Sequence, residues 1–205
     1  MASKKKKARK PTESDSSHSI HEHNETDRPW FKFWPEAVPR RIDYPEIPLS
    51  DLLKRAVKLC PEKKAIVYFD KSLSYKDLDL MVDRFATALA NLGVKKGDKV
   101  ALFLPNMPHF VIAYYATIKI GGIETAVSPL YKERELEHQL SDSGAETIVV
   151  LDALYPVLQR VLDKTKVKRV IVTSLKEYMP STKAILGTLF RKIPSYKVDR
   201  KEDVY

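Results

Sequence analysis

An α/β fold, with a parallel sheet covered by helices on both faces, is the architecture this sequence predicts. Three observations carry the prediction. Short apolar runs rich in β-branched residues recur as KVALFLP, ETAV, ETIVVL and KRVIVT. Segments with apolar residues three and four apart fall between them, the period of a helix packed on one side. Strands that alternate with helices of this length pair in parallel, because each crossover returns the chain to the same end of the sheet. With 43% apolar and 31% charged residues over 205 positions, the chain can bury one sizeable core under a solvated surface.

Taken in order, residues 1–27 form a leader outside the fold. It has too few apolar residues to offset the entropy of ordering and is expected to be disordered. The domain is expected over residues 28–205. Its lead-in, RPWFKFWPEAVPRRIDYPEIP, holds both tryptophans and five prolines. Prolines at that density argue against a helix, so an extended strap with its aromatics buried is expected. After Ser50 comes a short amphipathic helix with Leu52, Leu53, Ala56, Val57 and Leu59 on its apolar side, ended by Pro61. AIVYF at 65–69 reads as a strand, and Asp70 and Lys71 turn the chain towards Leu73.

Ser74 with Asp77 three residues on is a capping-box pattern, and Gly93 is the expected stop of the helix it starts. KVALFLP is a buried strand, residues 107–120 a helix, and 124–127 a strand. A charged helix over 132–141, a strand at 146–151, a helix over 153–162 and a strand at 168–173 complete the alternation. The apolar stretch at 100–127 contains Pro105, Asn106, His109, Lys119 and Glu124. A spanning helix would bury these at high cost, so a transmembrane reading is rejected.

Composition excludes several functions. The six glycines, at 93, 97, 121, 122, 144 and 187, form neither a GxGxxG nor a GxxxxGK loop. One cysteine, Cys60, allows neither an internal disulfide nor a cysteine zinc cluster and suits a reducing compartment. The net charge of +9 sits at the two ends: residues 1–10 contribute +6 and residues 160–201 contribute +9, whereas 11–27 contribute −5. The leader KKKKARK lacks interleaved aromatics, so no nucleic acid partner is expected and a solvated tail is favoured. His18, His21 and His23 on that polar tail are read in the same way, without a metal. No apolar segment follows the basic run, which disfavours a secretory signal, and a cytoplasmic setting, with peripheral membrane contact as the variant, is expected.

LSYKDL at 73–78 resembles the first core motif of the adenylate-forming superfamily, and IKIGGIETAVSPLY at 118–131 resembles the second. SPLYKERELEHQLSDSGAETIVV at 128–150 is similar to the matching stretch of long-chain fatty acyl-CoA synthetases, and the Trp-Pro lead-in is similar to theirs. The resemblance covers residues 28–205 and implies an incomplete N-terminal subdomain of an adenylate-forming enzyme. It also implies the chemistry of the complete enzyme: ATP and Mg2+ convert a fatty acid to an acyl-adenylate, and coenzyme A takes the acyl group as a thioester. The phosphate loop, the adenine and ribose motifs and the catalytic-lysine domain of that family have no counterpart in these residues. KEDVY at 201–205 resembles the lead-in to the strand before the phosphate loop. The chain is therefore expected to be an N-terminal piece, inactive alone, binding no cofactor by itself, with a complementary C-terminal half as its partner. A non-catalytic module that completes a separate catalytic subunit or binds membrane is the alternative.

No catalytic, cofactor-binding or metal-ligating residue is assigned. Asn106 and His109 follow the carboxyl end of a strand, where open α/β sheets place ligands, and are the candidates for lining an acyl pocket. For Asn106, capping the following helix is the competing role. The LSYKDL and IKIGG motifs read as structural: a cap, and glycines that permit close packing or unusual backbone angles. In STKAILGTLFRKI at 181–193, Ile185, Leu189 and Phe190 share a helical face near Lys183, Arg191 and Lys192. Peripheral membrane contact and core packing are both open for it, and an exposed face there predicts self-association.

Overall fold

The computed structural model describes residues 28–179, 195–198 and 204–205. The leader and the amphipathic segment 181–193 lie outside the described residues. The chain divides into two compact units, residues 1–46 and 47–205.

In the first unit the lead-in departs from the expectation of a helix-free strap. Residues Pro29–Phe33 form a short 3-10 helix with proline in its first turn. Proline suits that position, because the first N–H groups of a helix have no internal partner and its fixed φ is already helical. Trp34 closes the turn, its backbone N–H bonding the Phe31 carbonyl and its indole N–H the Val38 carbonyl at 2.8 Å. Burial of the aromatics is only partial. Phe33 is 88% and Trp30 55% exposed.

The second unit starts with α1 (Ser50–Leu59), of which only Leu53 is buried. Strand β1 (Lys64–Tyr68) then pairs antiparallel with β2 (Lys71–Ser74). The sequence reading took Lys71 as part of a turn; cross-strand bonding to β1 draws it and its successors into a hairpin strand that KSLS alone does not announce. Helix α2 (Tyr75–Asn91) starts at the expected capping box. Ser74 Oγ accepts the Asp77 N–H at 3.1 Å, and the Asp77 carboxylate accepts the Ser74 N–H at 3.2 Å. Gly93, at φ +84°, turns the chain out of the helix as Val94 N–H bonds back to the Leu89 carbonyl.

The main sheet is parallel and holds β3 (Lys99–Phe103), β4 (Ile123–Ala126), β5 (Thr147–Leu151) and β6 (Arg169–Thr173) in the order β4-β3-β5-β6. Helices α3 (Pro108–Lys119) and α4 (Glu133–Ser143) make the first two crossovers. The third differs from the single helix expected over 153–162. Residues Asp152–Leu154 form a 3-10 turn, α5 is only Tyr155–Gln159, and a second turn occupies Leu162–Lys164. Pro156, in the first turn of α5, prevents the α-helical ladder from extending upstream. Beyond β6, Tyr205 N–H bonds the Val170 carbonyl and Val172 N–H the Tyr205 carbonyl, so Val204 adds to the sheet edge in parallel.

Helices do cover both faces. Along β3, Val100 and Leu102 enter the core under α1, α2 and α3, while Ala101 and Phe103 enter the core under α4 and α5. Strand β5 repeats the split, Val149 and Leu151 on the first side, Ile148 and Val150 on the second. All four β3 residues from Val100 to Phe103 are fully buried. Of these, Val100, Leu102 and Phe103 each contribute about 1.5–3 kcal/mol when removed from water, which makes β3 the strand on which both layers rest.

The IKIGG glycines serve packing. Gly121 has φ +77°, and a Cβ on Gly122 would sit 3.1 Å from the Thr117 carbonyl and 3.3 Å from the Asp98 carbonyl. Backbone cannot yield as a flexible side chain can. Gly122→Ala is therefore expected to lower stability by about 1–3 kcal/mol, read as an earlier urea midpoint; an unchanged midpoint would show that α3 and β4 need no close approach there.

Candidate functional site

Open parallel sheets bind ligands outside the carboxyl ends of their strands, where the chain order reverses. Here the reversal falls between β3 and β5. The loops at that edge are Leu104–Met107 after β3, Asp152 after β5 and Ser174 after β6.

An apolar cavity of about 200 Å³ opens beside this edge, between α3 and the strands β5 and β6. Phe85 of α2, Ile112 and Ala113 of α3, Val149 and Ile171 supply its apolar wall, and Thr173, His109 and Glu177 its polar end. His109 stands in the first turn of α3. Its Nε2 lies 2.8 Å from Glu177 Oε2, and its ring meets Tyr178 edge-on at 4.7 Å. An ionised carboxylate only accepts, so Nε2 carries the proton of this bond. The imidazole is otherwise enclosed, and Nδ1 is buried without a partner among the described residues. Tyr178 donates its hydroxyl to the Met81 sulfur at 2.9 Å, which ties the 3-10 turn Leu175–Tyr178 to α2.

The electrostatics follow from these contacts. The His109 hydrogen bond holds the Glu177 carboxyl below the usual glutamate range. Burial pushes the Tyr178 hydroxyl up. Asp152 is 8% exposed, and desolvation raises its carboxyl despite bonds from Ser174 and the Ala153 N–H. Glu124 on β4 is also raised by burial, with one carboxyl oxygen left without a partner among the described residues.

Of the two residues singled out from sequence, His109 lines the cavity and Asn106 does not. Asn106 is exposed in the loop before α3. The N-cap of that helix is Met107, with no side-chain cap, so Asn106 is not the capping residue either. Glu177 and Tyr178 escaped the sequence reading. They lie 68 and 69 positions from His109, and only the return of β6 beside β5 brings them together.

The resemblance implies ATP with magnesium in the complete enzyme. Among the described residues no three His, Cys, Asp or Glu side chains gather to hold a metal ion. The glycines build no phosphate loop. None of the described helices is long and apolar enough to cross a membrane.

A parallel sheet in this strand order, with a polar-ended cavity beside its carboxyl edge, defines a doubly wound α/β ligand-binding scaffold. More particularly, the chain belongs to the AMP-binding enzyme family, whose model matches residues 53–200. It is 35% identical over 168 residues to a long-chain-fatty-acid–CoA ligase of Bacillus subtilis, covering 82% of this chain and 30% of the relative. A ligase of the same description from Escherichia coli O157:H7 is also 35% identical, over 169 residues. Among solved structures, a long-chain-fatty-acid-CoA ligase from Archaeoglobus fulgidus matches with a TM-score of 0.60 and 30% identity, over 79% of this chain and 34% of that one. An anthranilate CoA ligase in complex with anthranoyl-AMP shares the fold, with a TM-score of 0.59 at 21% identity, over 75% of this chain and 29% of that one. The chain spans about a third of the length of the relatives it matches.

The Glu177–His109 bond makes a prediction about acid stability. A carboxyl whose folded value lies below its ordinary 4.5 stabilises the fold above that pH and loses the contribution as pH falls through the folded value. Between roughly pH 5 and pH 3, the wild-type urea midpoint should therefore fall more steeply than that of Glu177→Gln. Parallel curves would mean that the pair adds nothing to stability.

Proposed function

We propose that this chain is the N-terminal part of a long-chain fatty acid–CoA ligase. The 35% identity to the Bacillus subtilis ligase across 82% of the chain carries the proposal. In this reading the complete enzyme uses ATP and Mg2+ to form an acyl-adenylate from a fatty acid and passes the acyl group to coenzyme A. The adenylate turns a poor electrophile into one with a good leaving group, and cations offset the charge that develops on phosphate. The present residues supply scaffold rather than chemistry. They build the parallel sheet, and the Val204 pairing beside β6 adds the next strand in register. By the resemblance, that strand leads into the phosphate loop. A complementary C-terminal portion is the partner this reading requires.

His109 is proposed to line part of the acyl pocket. Its place on the wall of an apolar cavity supports the role, and the exposed position of Asn106 lends that residue no such support.

The isolated chain should release no pyrophosphate above a heat-killed control when given ATP, magnesium, coenzyme A and palmitate. A chimera tests the proposal itself. Residues 53–200 replace the matching segment of the Bacillus subtilis ligase, and palmitoyl-CoA formation is followed. Retained turnover is expected. A folded but inactive chimera would instead favour a non-catalytic module. In the same chimera, His109→Leu should alter the ranking of fatty acids by chain length, and an unaltered ranking would remove His109 from the pocket.

A further inference from the structure

Glu177 sets a carboxylate at the mouth of the cavity beside α3, where a fatty acyl chain has no use for one. The side chain of Glu177 is 58% exposed, whereas that of His109 is 12% exposed. The His109 hydrogen bond favours the ionised form, so the carboxylate is charged at neutral pH. Deeper in, Ile112, Ala113 and Val149 form a buried apolar wall. Among the described residues no lysine or arginine lines the cavity. Lys176 is the cation next in the chain, and its field acts on Asp152, a second acid that Glu177 itself helps to raise.

The donors at this end are spent. His109 Nε2–H is given to Glu177 Oε2 at 2.8 Å, and the Thr173 hydroxyl to Oε1 at 3.5 Å. The other lining side chains are hydrocarbon and donate nothing. A carboxylate has about four acceptor positions, so Glu177 keeps capacity to accept. What enters must therefore donate, and a positive charge on the donor makes the bond roughly twice as strong. A carboxylate head would meet like charge and no donor. Volume sets the size of the body. An apolar cavity of about 150 Å³ takes benzene. The cavity here, at about 200 Å³, holds roughly six to eight carbon atoms.

We infer that this cavity binds a compact organic ammonium ion, its apolar body against Ile112, Ala113 and Val149 and its N–H groups on the Glu177 carboxylate. An inorganic cation would leave the apolar wall unused, and an alcohol would leave the charge unanswered. The site stands on the cavity and its one carboxylate. It rests on the acyl reading in a single respect: where the cavity is part of the acyl pocket, amine and acyl chain compete for it.

The test uses the full chain and titration calorimetry with hexylamine, 1-hexanol and hexanoate, which pair one body with three heads. Hexylamine should bind about tenfold tighter than hexanol, the difference between a charged and a neutral hydrogen bond. Hexanoate should bind too weakly to detect. Glu177→Gln should bring hexylamine down to the affinity of hexanol, and Glu177→Ala should do the same. Ala113→Phe should remove binding of both by filling the cavity. Ile171→Phe fills it from the strand side, and circular dichroism shows which of these variants keep the fold. Amines that merely collect on surface acids would bind Glu177→Gln and the filled variants as tightly as wild type. That result, or equal affinity for hexylamine and hexanoate, overturns the inference. In the active chimera, hexylamine should raise the KM for palmitate. Calorimetry on this chain needs no ligase activity, so an inactive chimera would count against the ligase reading and leave the ammonium site standing.

Discussion

Burial of β3 on both faces is the constraint from which the rest of the second unit follows. A strand sealed on two sides needs side chains of opposite parity to be apolar, and Val100 to Phe103 are apolar without interruption. Its backbone must then bond strands on both edges, which β4 and β5 supply in parallel. Parallel neighbours require crossovers, and the crossovers bring α3 to one face and α4 to the other. The order β4-β3-β5-β6 fixes where the carboxyl edge reverses, and with it the position of the cavity that His109 and Glu177 close.

Most of that framework was legible in the sequence, because it rests on local signals. The alternation of apolar strands with periodic helices gave the layers. Ser74 and Asp77 marked a helix start, and Gly93 its end, through backbone bonds made within a few residues. What was not legible depends on contacts distant in sequence. KSLS has no strand character until β1 bonds to it. Helix α5 looked longer than it is because its apolar spacing runs from Ala153 to Leu162, whereas Pro156 lacks the N–H that an upstream turn would need and the chain after Gln159 tightens into the 3-10 turn Leu162–Lys164. The 3-10 turn at Pro29 is the reverse case: proline was read as a breaker when it stands where a helix begins.

The candidate site was half legible. His109 could be found from its place after a strand's carboxyl end, a positional rule that needs no partner. The same rule selected Asn106, which the structure leaves exposed. Glu177 carried no signal beyond being one acid among several, and only the sheet's topology makes it the partner of His109. Solved structures at 21% and 30% identity share the fold with TM-scores of 0.59 and 0.60, so the scaffold tolerates wide change in sequence. The match covers about a third of the ligases' length, and within it the described residues build the parallel sheet.

The central claim is that this stretch folds around β3 by itself, and amide hydrogen exchange on the isolated chain tests it most directly. The account predicts that amides of residues 100–103 and 148–151 exchange slowest of all, at a rate set by global unfolding, while hairpin amides of residues 64–74 exchange sooner. Exchange of the β3 amides as fast as those of the hairpin would contradict it, because the sheet would then require chain beyond these residues to form.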